Sequence, residues 1–355
     1  MIVDFGVTIF KNEILNKMKK VLVTGISGFV GQHCAAELLK KGYSVRGSVR
    51  SILNTSGVLQ GITKEVDPKG NIEFCELDLM KDTGWDKAME GCDYVLHVAS
   101  PFVVKEPKNE NELIKPAVDG TLRALKAAKK AGVKRVVLTS STAAMQGGKT
   151  GTFKIDESSW TNVDAKNVTA YFKSKTLAEK SAWDFIQNQT DDSKLELVVI
   201  NPGPIYGPTL TGNLSNEAMD FFKKLITGKV PMLPSAYSVM SDVRDVAAIH
   251  VASLENEKAI GNRFIVTTEK VHSIQEIAQI LKSNGYEKVS TKLAPTFLLK
   301  FMAKFNDEAK GMLPFIGNTV QADIRNTMST FNWKPISFDK TVLDAAKSVK
   351  SLIDQ

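Results

Sequence analysis

The sequence predicts an α/β protein: a doubly wound parallel sheet followed by a smaller C-terminal lobe. Three observations predict it. Residues 21–31 read Val-Leu-Val-Thr-Gly-Ile-Ser-Gly-Phe-Val-Gly, an apolar run that breaks into glycines at 25, 28 and 31. Short apolar runs then alternate with helix-forming segments as far as Tyr206. Beyond it the alternation loosens, with prolines at 208, 231 and 234. Repeated strand–helix alternation places helices on both faces of a parallel sheet through right-handed crossovers.

Each element follows from its residues. The first strand ends at Gly25, and the segment Cys34-Ala-Ala-Glu-Leu-Leu-Lys-Lys-Gly42 reads as a helix stopped by a glycine. A tight turn favours residues without Cβ, a pyrophosphate needs bare backbone, and a helix N-terminus offers unpaired N–H groups and a positive dipole end. The second strand is expected at 43–49, then a polar loop to about Gly70, then a third strand at 72–77 followed by Asp78. A helix carrying Trp85, a fourth strand at 93–98, a long helix within 109–132 and a fifth strand at 135–139 come next. A helix over 171–188 leads to a sixth strand at 195–200, which ends at Asn201-Pro-Gly-Pro204. Residues 242–256 read as a helix and 261–266 as a strand that rejoins the sheet. After Val271 come helices, a short strand near Val289 and a final amphipathic helix. The apolar stretch from Phe297 to Phe305 reads as core or pocket wall.

This gives a dinucleotide-binding domain over 18–206, rejoined by 241–267, and a substrate-binding lobe from 207–240 and 268–355. Residues 1–17 read as an extension outside the functional fold. They lack a basic n-region and a small-residue cleavage site, and Met18 precedes the first strand directly.

Composition narrows the function classes. A chain of 355 residues suits two lobes. Its net charge of +7 is scattered, with no basic stripe interleaved with aromatics, which argues against nucleic acid as a partner. The excess suits a phosphate-rich ligand. The run from Lys126 to Arg135 reads as the solvated face and last turn of a helix. Cys34, Cys75 and Cys92 are odd in number and lack CxxC spacing, so buried free thiols in a reducing, cytoplasmic compartment are expected. The four histidines form no ligand pattern, no metal is expected, and His97 reads as a satisfied core residue. No run of 18 apolar residues is present, so no membrane partner is expected.

The chemistry lies at the strands' C-terminal edge. Tyr171-Phe-Lys-Ser-Lys175 puts a phenol and an ammonium on one helix face, and Ser140 and Ser141 follow the fifth strand at the same edge. Reducing a carbonyl takes hydride from one side and a proton from the other. Tyrosine titrates near pH 10, and lowering that by about three units takes roughly 4 kcal/mol. A neighbouring Lys⁺ and a positive nicotinamide ring are the expected sources, with a serine hydroxyl holding the substrate oxygen.

The chain resembles the extended short-chain dehydrogenase/reductase superfamily. Within it, the chain is most similar to the dihydroflavonol reductase, cinnamoyl-CoA reductase and fungal ketone (methylglyoxal) reductase branch. The resemblance runs from about Lys19 to Ile353. It rests on Thr24-Gly-Ile-Ser-Gly-Phe-Val-Gly31, Val45-Arg-Gly-Ser-Val-Arg50, Asp78-Leu79, His97-Val-Ala-Ser-Pro101, Thr139-Ser-Ser141, Tyr171-Phe-Lys-Ser-Lys175, Asn201-Pro-Gly-Pro-Ile-Tyr-Gly-Pro208 and Asp242-Val-Arg-Asp-Val-Ala247. It implies that Ser141 orients the carbonyl, Tyr171 protonates it, and Lys175 tunes Tyr171 while holding the nicotinamide ribose. The implied cofactor, NADP(H), lies on Gly25, Ser27, Gly28, Phe29, Val30 and Gly31, with Asp78 at the adenine amine. Leu79, Ala99, Ser100, Thr139, Pro202, Gly203 and Ile205 complete that surface. No carboxylate stands at the second strand's end, and Arg50 there suits a 2′-phosphate.

Phe102, Gln146, Pro204, Tyr206 and Met240 are expected to line the substrate pocket, with the 297–305 stretch behind them. That apolar set points to promiscuous reduction of medium-sized apolar aldehydes and ketones. Gln146 stands where dihydroflavonol reductases carry an asparagine, which argues against a flavonoid substrate. Two alternatives stay open: an epimerase or steroid dehydrogenase-like oxidoreductase, and a non-catalytic dinucleotide sensor. Monomer and homodimer are equally open.

Overall fold

The computed structural model describes residues 18–100, 107–190, 194–212, 214, 216–305 and 313–354. The expectations for residues 1–17 and for Phe102 lie outside them.

The strands run in chain order as β1 Lys20–Thr24, β2 Ser44–Val49, β3 Ile72–Glu76, β4 Tyr94–His97, β5 Arg135–Thr139, β6 Thr152–Ile155 and β7 Glu196–Pro202. They continue as β8 Ile205–Tyr206, β9 Tyr237–Ser238, β10 Ser241–Asp242, β11 Arg263–Val266, β12 His272–Ser273 and β13 Thr319–Ala322. Seven of them form one sheet in the order β11-β7-β5-β4-β1-β2-β3, every pair parallel. Val21, Leu22 and Val23 are fully buried, as a strand covered on both faces requires. The order reverses between β1 and β4, the topological switch point where a crevice opens outside the strands' C-terminal ends.

The helices up to residue 302 are α1 Phe29–Lys40, α2 Thr55–Thr63, α3 Trp85–Met89, α4 Asn111–Lys130, α5 Ala143–Gln146, α6 Ala170–Gln187, α7 Glu217–Ile226, α8 Val243–Ala252, α9 Ile274–Ser283 and α10 Thr296–Met302. α1 and α8 cover one face of the sheet, through Cys34, Ala35, Leu38, Val246 and Ile249. α4 covers the other through Ala124, Leu125 and Ala128, and α6 joins it through Ala182. A third core belongs to the C-terminal part. There Met219, Phe222, Ile277 and Leu281 pack with Val342, Ala345 and Val349 of the final helix, Phe338–Ile353.

Several expectations are corrected. The supposed polar loop after β2 contains α2, which buries Val58 and Ile62; a Cβ on Gly61 would lie 2.7 Å from the Leu210 carbonyl oxygen. That approach accounts for a glycine that reads as a loop signal. No strand forms near Val289, which sits beyond a turn; its neighbour Leu293 makes a single bridge to Leu233. The β6–β13 pair was not foreseen, because its four-residue strands join segments far apart in sequence. Arg135 is no helix-end cation: it is fully buried on β5, bonded to Glu196 at 2.7 Å and to the Ser253 carbonyl at 2.8 Å. Cys34 and Cys92 are buried free thiols, while Cys75 is partly exposed.

The largest correction is the 297–305 stretch. α10 buries no side chain of its own, and Phe297, Phe301 and Phe305 are 76%, 57% and 79% exposed. Their four-residue spacing puts them on one stripe, and that stripe faces away from the core built by α7, α9 and the final helix.

Candidate active site

The glycine turn is built by sterics. Gly25 adopts φ +68°, and a Cβ there would meet the Cβ of Ala99 at 3.0 Å. A Cβ on Gly31 would fall 2.4 Å from the Gly25 carbonyl oxygen, so the start of α1 can seat on the turn only with glycine at that position. Gly28 is the N-cap of α1, and its N–H donates to the Gly25 carbonyl at 2.9 Å. Ser48 of β2 clamps the turn, its hydroxyl accepting from Gly25 N–H and its carbonyl from Ile26 N–H, both at 3.1 Å. Ser27 and Gly28 are exposed, with Phe29 and Val30 half-buried on the first turn of α1. Ala99 donates its N–H to Thr24 Oγ1 at 3.0 Å, and Thr24 Oγ1 also bonds His97 Nδ1 at 2.9 Å. His97 is thus a satisfied core group, pushed down to about 3 by burial and by Lys175.

Two arginines four residues apart, one in β2 and one just past it, behave differently. Arg46 is committed: its Nε binds Glu73 at 2.7 Å and its Nη1 donates to the carbonyls of Lys87, Ala88 and Glu90. Arg50, just past the strand's C-terminal end, is exposed and has no ion pair or side-chain hydrogen bond among the described residues. Asp78 is half-buried, with Oδ1 capping Met80 N–H at 2.9 Å. Leu79 packs on Gly120 of α4 and its carbonyl accepts from Arg123, so its side chain turns inward from the crevice.

The three candidate catalytic residues lie at the same edge. Ser141 follows β5; its Oγ accepts from Ala143 N–H at 3.1 Å and lies 3.4 Å from the Pro202 carbonyl. Tyr171 and Ser141 share a hydrogen bond. Burial pushes the Tyr171 phenol up to about 12, with that bond pulling the other way. Lys175, one turn further along α6, is pushed down to about 8 by burial, opposed by the Glu179 carboxylate. Lys175 lines a cavity of about 240 Å³ with Ala99, Ser100, Thr139 and Ser140. The Thr139 hydroxyl itself points elsewhere, to His250 Nε2 at 2.7 Å. Pro202 ends β7, Gly203 N–H donates to Ser241 Oγ at 2.9 Å, and Ile205 opens β8.

The substrate-side residues do not gather in one place. Gln146 lines a cleft of about 390 Å³ with Lys149, Phe153, Asn167, Phe172, Tyr237, Phe315 and Asn318. Neither Pro204, Tyr206 nor Met240 lines it. Met240 is 2% exposed and belongs to the C-terminal core, so its reading as a pocket residue gives way to packing. Tyr206 stands against Phe221 and Phe222, with ring centroids 6.0 and 5.6 Å away. Pro204 accepts Ser241 N–H through its carbonyl at 2.9 Å. The α10 phenylalanines, expected behind this pocket, are the exposed ones described above.

Sequence reasoning missed Glu179 and Thr121, which line the cavity with Lys175, and Asn201 and Arg263, which bond Glu179. Glu179 had a local signal: it follows Tyr171 and Lys175 at the same four-residue step. The others reach the site through tertiary structure alone. Among the described residues, no cluster of His, Cys, Asp or Glu has metal-binding geometry, and no helix is long and apolar enough to cross a membrane.

Comparison with known proteins agrees with this geometry. Residues 21–266 match the model of the NAD dependent epimerase/dehydratase family. The chain is 36% identical over 270 residues to the cinnamoyl-CoA reductase CAD2 of Medicago truncatula, covering 74% of this chain and 79% of that one. It is 32% identical over 284 residues to the NADPH-dependent methylglyoxal reductase GRE2 of Saccharomyces cerevisiae, covering 74% and 82%. The solved structure of Gre2 from Candida albicans in complex with NADPH superposes with a TM-score of 0.77 at 25% identity, covering 94% of this chain and 99% of that one.

Proposed function

The chain belongs to the NAD dependent epimerase/dehydratase family, and within it we propose that this protein is an NADPH-dependent reductase of aldehydes or ketones. The observation that carries the reading is the hydrogen bond between Ser141 and Tyr171, with Lys175 one helical turn on lining a cavity with Ala99, which abuts the glycine cradle. The cradle fits a dinucleotide: Gly25 and Gly31 admit no Cβ, and the first turn of α1 presents its N–H groups at an exposed Gly28. Arg50, without an ion pair among the described residues and with no carboxylate following β2 in the chain, fits a 2′-phosphate better than a bare ribose. The similarity to a reductase named as NADPH-dependent and to a Gre2 solved in complex with NADPH supports the same choice.

NADPH, when bound, supplies the hydride. The chain's own residues do the rest. Ser141 Oγ orients the carbonyl oxygen, as a fixed donor aimed where negative charge develops. Tyr171, hydrogen-bonded to Ser141, delivers its phenolic proton to that oxygen. Lys175 as an ammonium favours the phenolate left behind. The partly apolar cleft around Gln146, Phe153, Phe172 and Phe315 suits medium-sized aromatic or aliphatic carbonyls. Lys149, Asn167 and Asn318 on its wall add polar contacts that the sequence reading did not include.

The test is NADPH oxidation by the purified full chain against a panel of aldehydes, diketones and hydroxyketones, repeated with NADH. Turnover of several apolar carbonyls with a marked NADPH preference is expected. Equal efficiency with NADH, or action confined to a sugar nucleotide, overturns the reading in favour of epimerase-like chemistry.

A further inference from the structure

α6 presents three chemical side chains at four-residue steps: Tyr171, Lys175 and Glu179. The first two are assigned above. Glu179 has no assigned role so far; its side chain is fully buried. Four donors converge on it. Oε2 accepts from Ser140 Oγ at 2.5 Å and from Asn201 Nδ2 at 2.9 Å. Oε1 accepts from Arg263 Nε at 2.5 Å and from Trp183 Nε1 at 3.3 Å. Asn201 Nδ2 donates in addition to the Ser141 carbonyl at 3.2 Å. Arg263, on β11, is fixed in turn by the carbonyls of Glu157 and Ser159 and by stacking over Trp160 at 3.8 Å.

We propose that Glu179 is a positioning residue: its buried carboxylate fastens the Ser140–Ser141 turn to α6 and holds Lys175 as an ammonium beside that turn. The proposal rests on the reading of Tyr171 and Lys175 given above. Two features carry it. One carboxylate bonds both Ser140 and the amide that holds the Ser141 backbone. Glu179 also lines one cavity with Lys175, together with Ser140 and Thr121. A buried ion pair with Arg263 alone needs neither contact. Among the described residues, the charged or titratable groups that act on Lys175 are Glu179 on its own helix and His97 on β4, with Arg263 of β11 behind Glu179. Of these only Glu179 is an anion, so its removal leaves no described residue to favour the ammonium.

The experiment uses the full chain with Glu179→Gln and with the double change Glu179→Gln/Arg263→Met. The single change leaves the Arg263 cation buried without its partner and is expected to lower Tm strongly. The double change removes that cation and is expected to recover most of the Tm. In both, the alkaline limb of kcat/KM and the alkaline limb of NADPH binding, read by cofactor fluorescence, are expected to move down by about one pH unit. A double variant whose Tm, kcat and both alkaline limbs match wild type overturns the proposal and leaves Glu179 a structural ion-pair partner. Should the single variant fail to fold, the double variant decides alone. A wild type that binds NADPH and reduces nothing sinks the reductase reading instead, and the binding limb still decides Glu179: a shift supports it, no shift overturns it.

Discussion

The glycine edge of the sheet and the C-terminal lobe use their side chains in opposite ways. At the edge, function comes from what is missing: no Cβ at Gly25 or Gly31, no carboxylate after β2, no partner for Arg50 among the described residues. In the lobe, the apolar residues that look like pocket wall are spent on packing, as with Met240, or left facing outward, as with Phe297. Backbone geometry imposed by sterics is local and shows in a few adjacent letters. The choice between core, wall and surface for an apolar side chain is tertiary and does not.

Substitutions can break or sharpen that contrast. The largest expected effect on stability is at Met240. If it is core, Met240→Ala costs about 2–5 kcal/mol of stability and leaves substrate preference unchanged. Thermal denaturation beside the carbonyl panel checks this, and an unchanged Tm with altered selectivity returns Met240 to the pocket.

Lys175 gives the next effect, with opposite sign. Its ammonium is held at about 8, below the ordinary 10.5 of lysine. Between those values the unfolded chain binds more protons than the native one, so stability rises with pH through that window. Below pH 8 the buried charge burdens the fold by on the order of 3 kcal/mol. Lys175→Met should therefore raise the Tm of the cofactor-free protein at pH 7. That gain should fade from pH 8 to 10.5, while turnover and NADPH binding fall. A Tm that drops at pH 7 shows that the ammonium is stabilised in the native state.

Arg50→Ala sharpens the edge side of the comparison. Loss of a charge-assisted contact to a 2′-phosphate is worth about 1.5–3 kcal/mol, roughly 10- to 100-fold in NADPH affinity, with NADH unaffected. Parallel weakening of both cofactors shows that Arg50 serves the shared adenosine part. The smallest effect is expected at Gln146→Ala. Because Gln146 lines the cleft beside polar Lys149, Asn167 and Asn318, the change should shift relative kcat/KM among carbonyls by about 1 kcal/mol without loss of Tm. An unaltered preference order removes that cleft from the substrate path.

The same contrast explains what the sequence shows. β1, the glycine turn and α1 are legible because alternation, glycine spacing and helix capping act within a dozen residues. Tyr171 and Lys175 are legible because four residues make one helical turn. Glu179 lies one turn further and carried a readable signal that chemistry alone did not single out. Arg263 and Asn201 reach it from β11 and β7, at separations of 84 and 22 residues that no local pattern encodes. α2 was hidden because Gly57 and Gly61 read as loop punctuation, whereas Gly61 is there to let Leu210 approach. Arg135 looked solvent-facing because its partners, Glu196 and Ser253, are 61 and 118 residues away.

The central claim is that Tyr171 is the proton donor on a cofactor platform that stands without it. Tyr171→Phe removes the hydroxyl alone. NADPH titration by fluorescence, followed by reduction of the best panel substrate, tests the claim in one protein. NADPH affinity should be unchanged and the rate reduced by roughly 10²–10⁴-fold. A variant that keeps more than about a tenth of the wild-type rate contradicts it and assigns the proton to another residue.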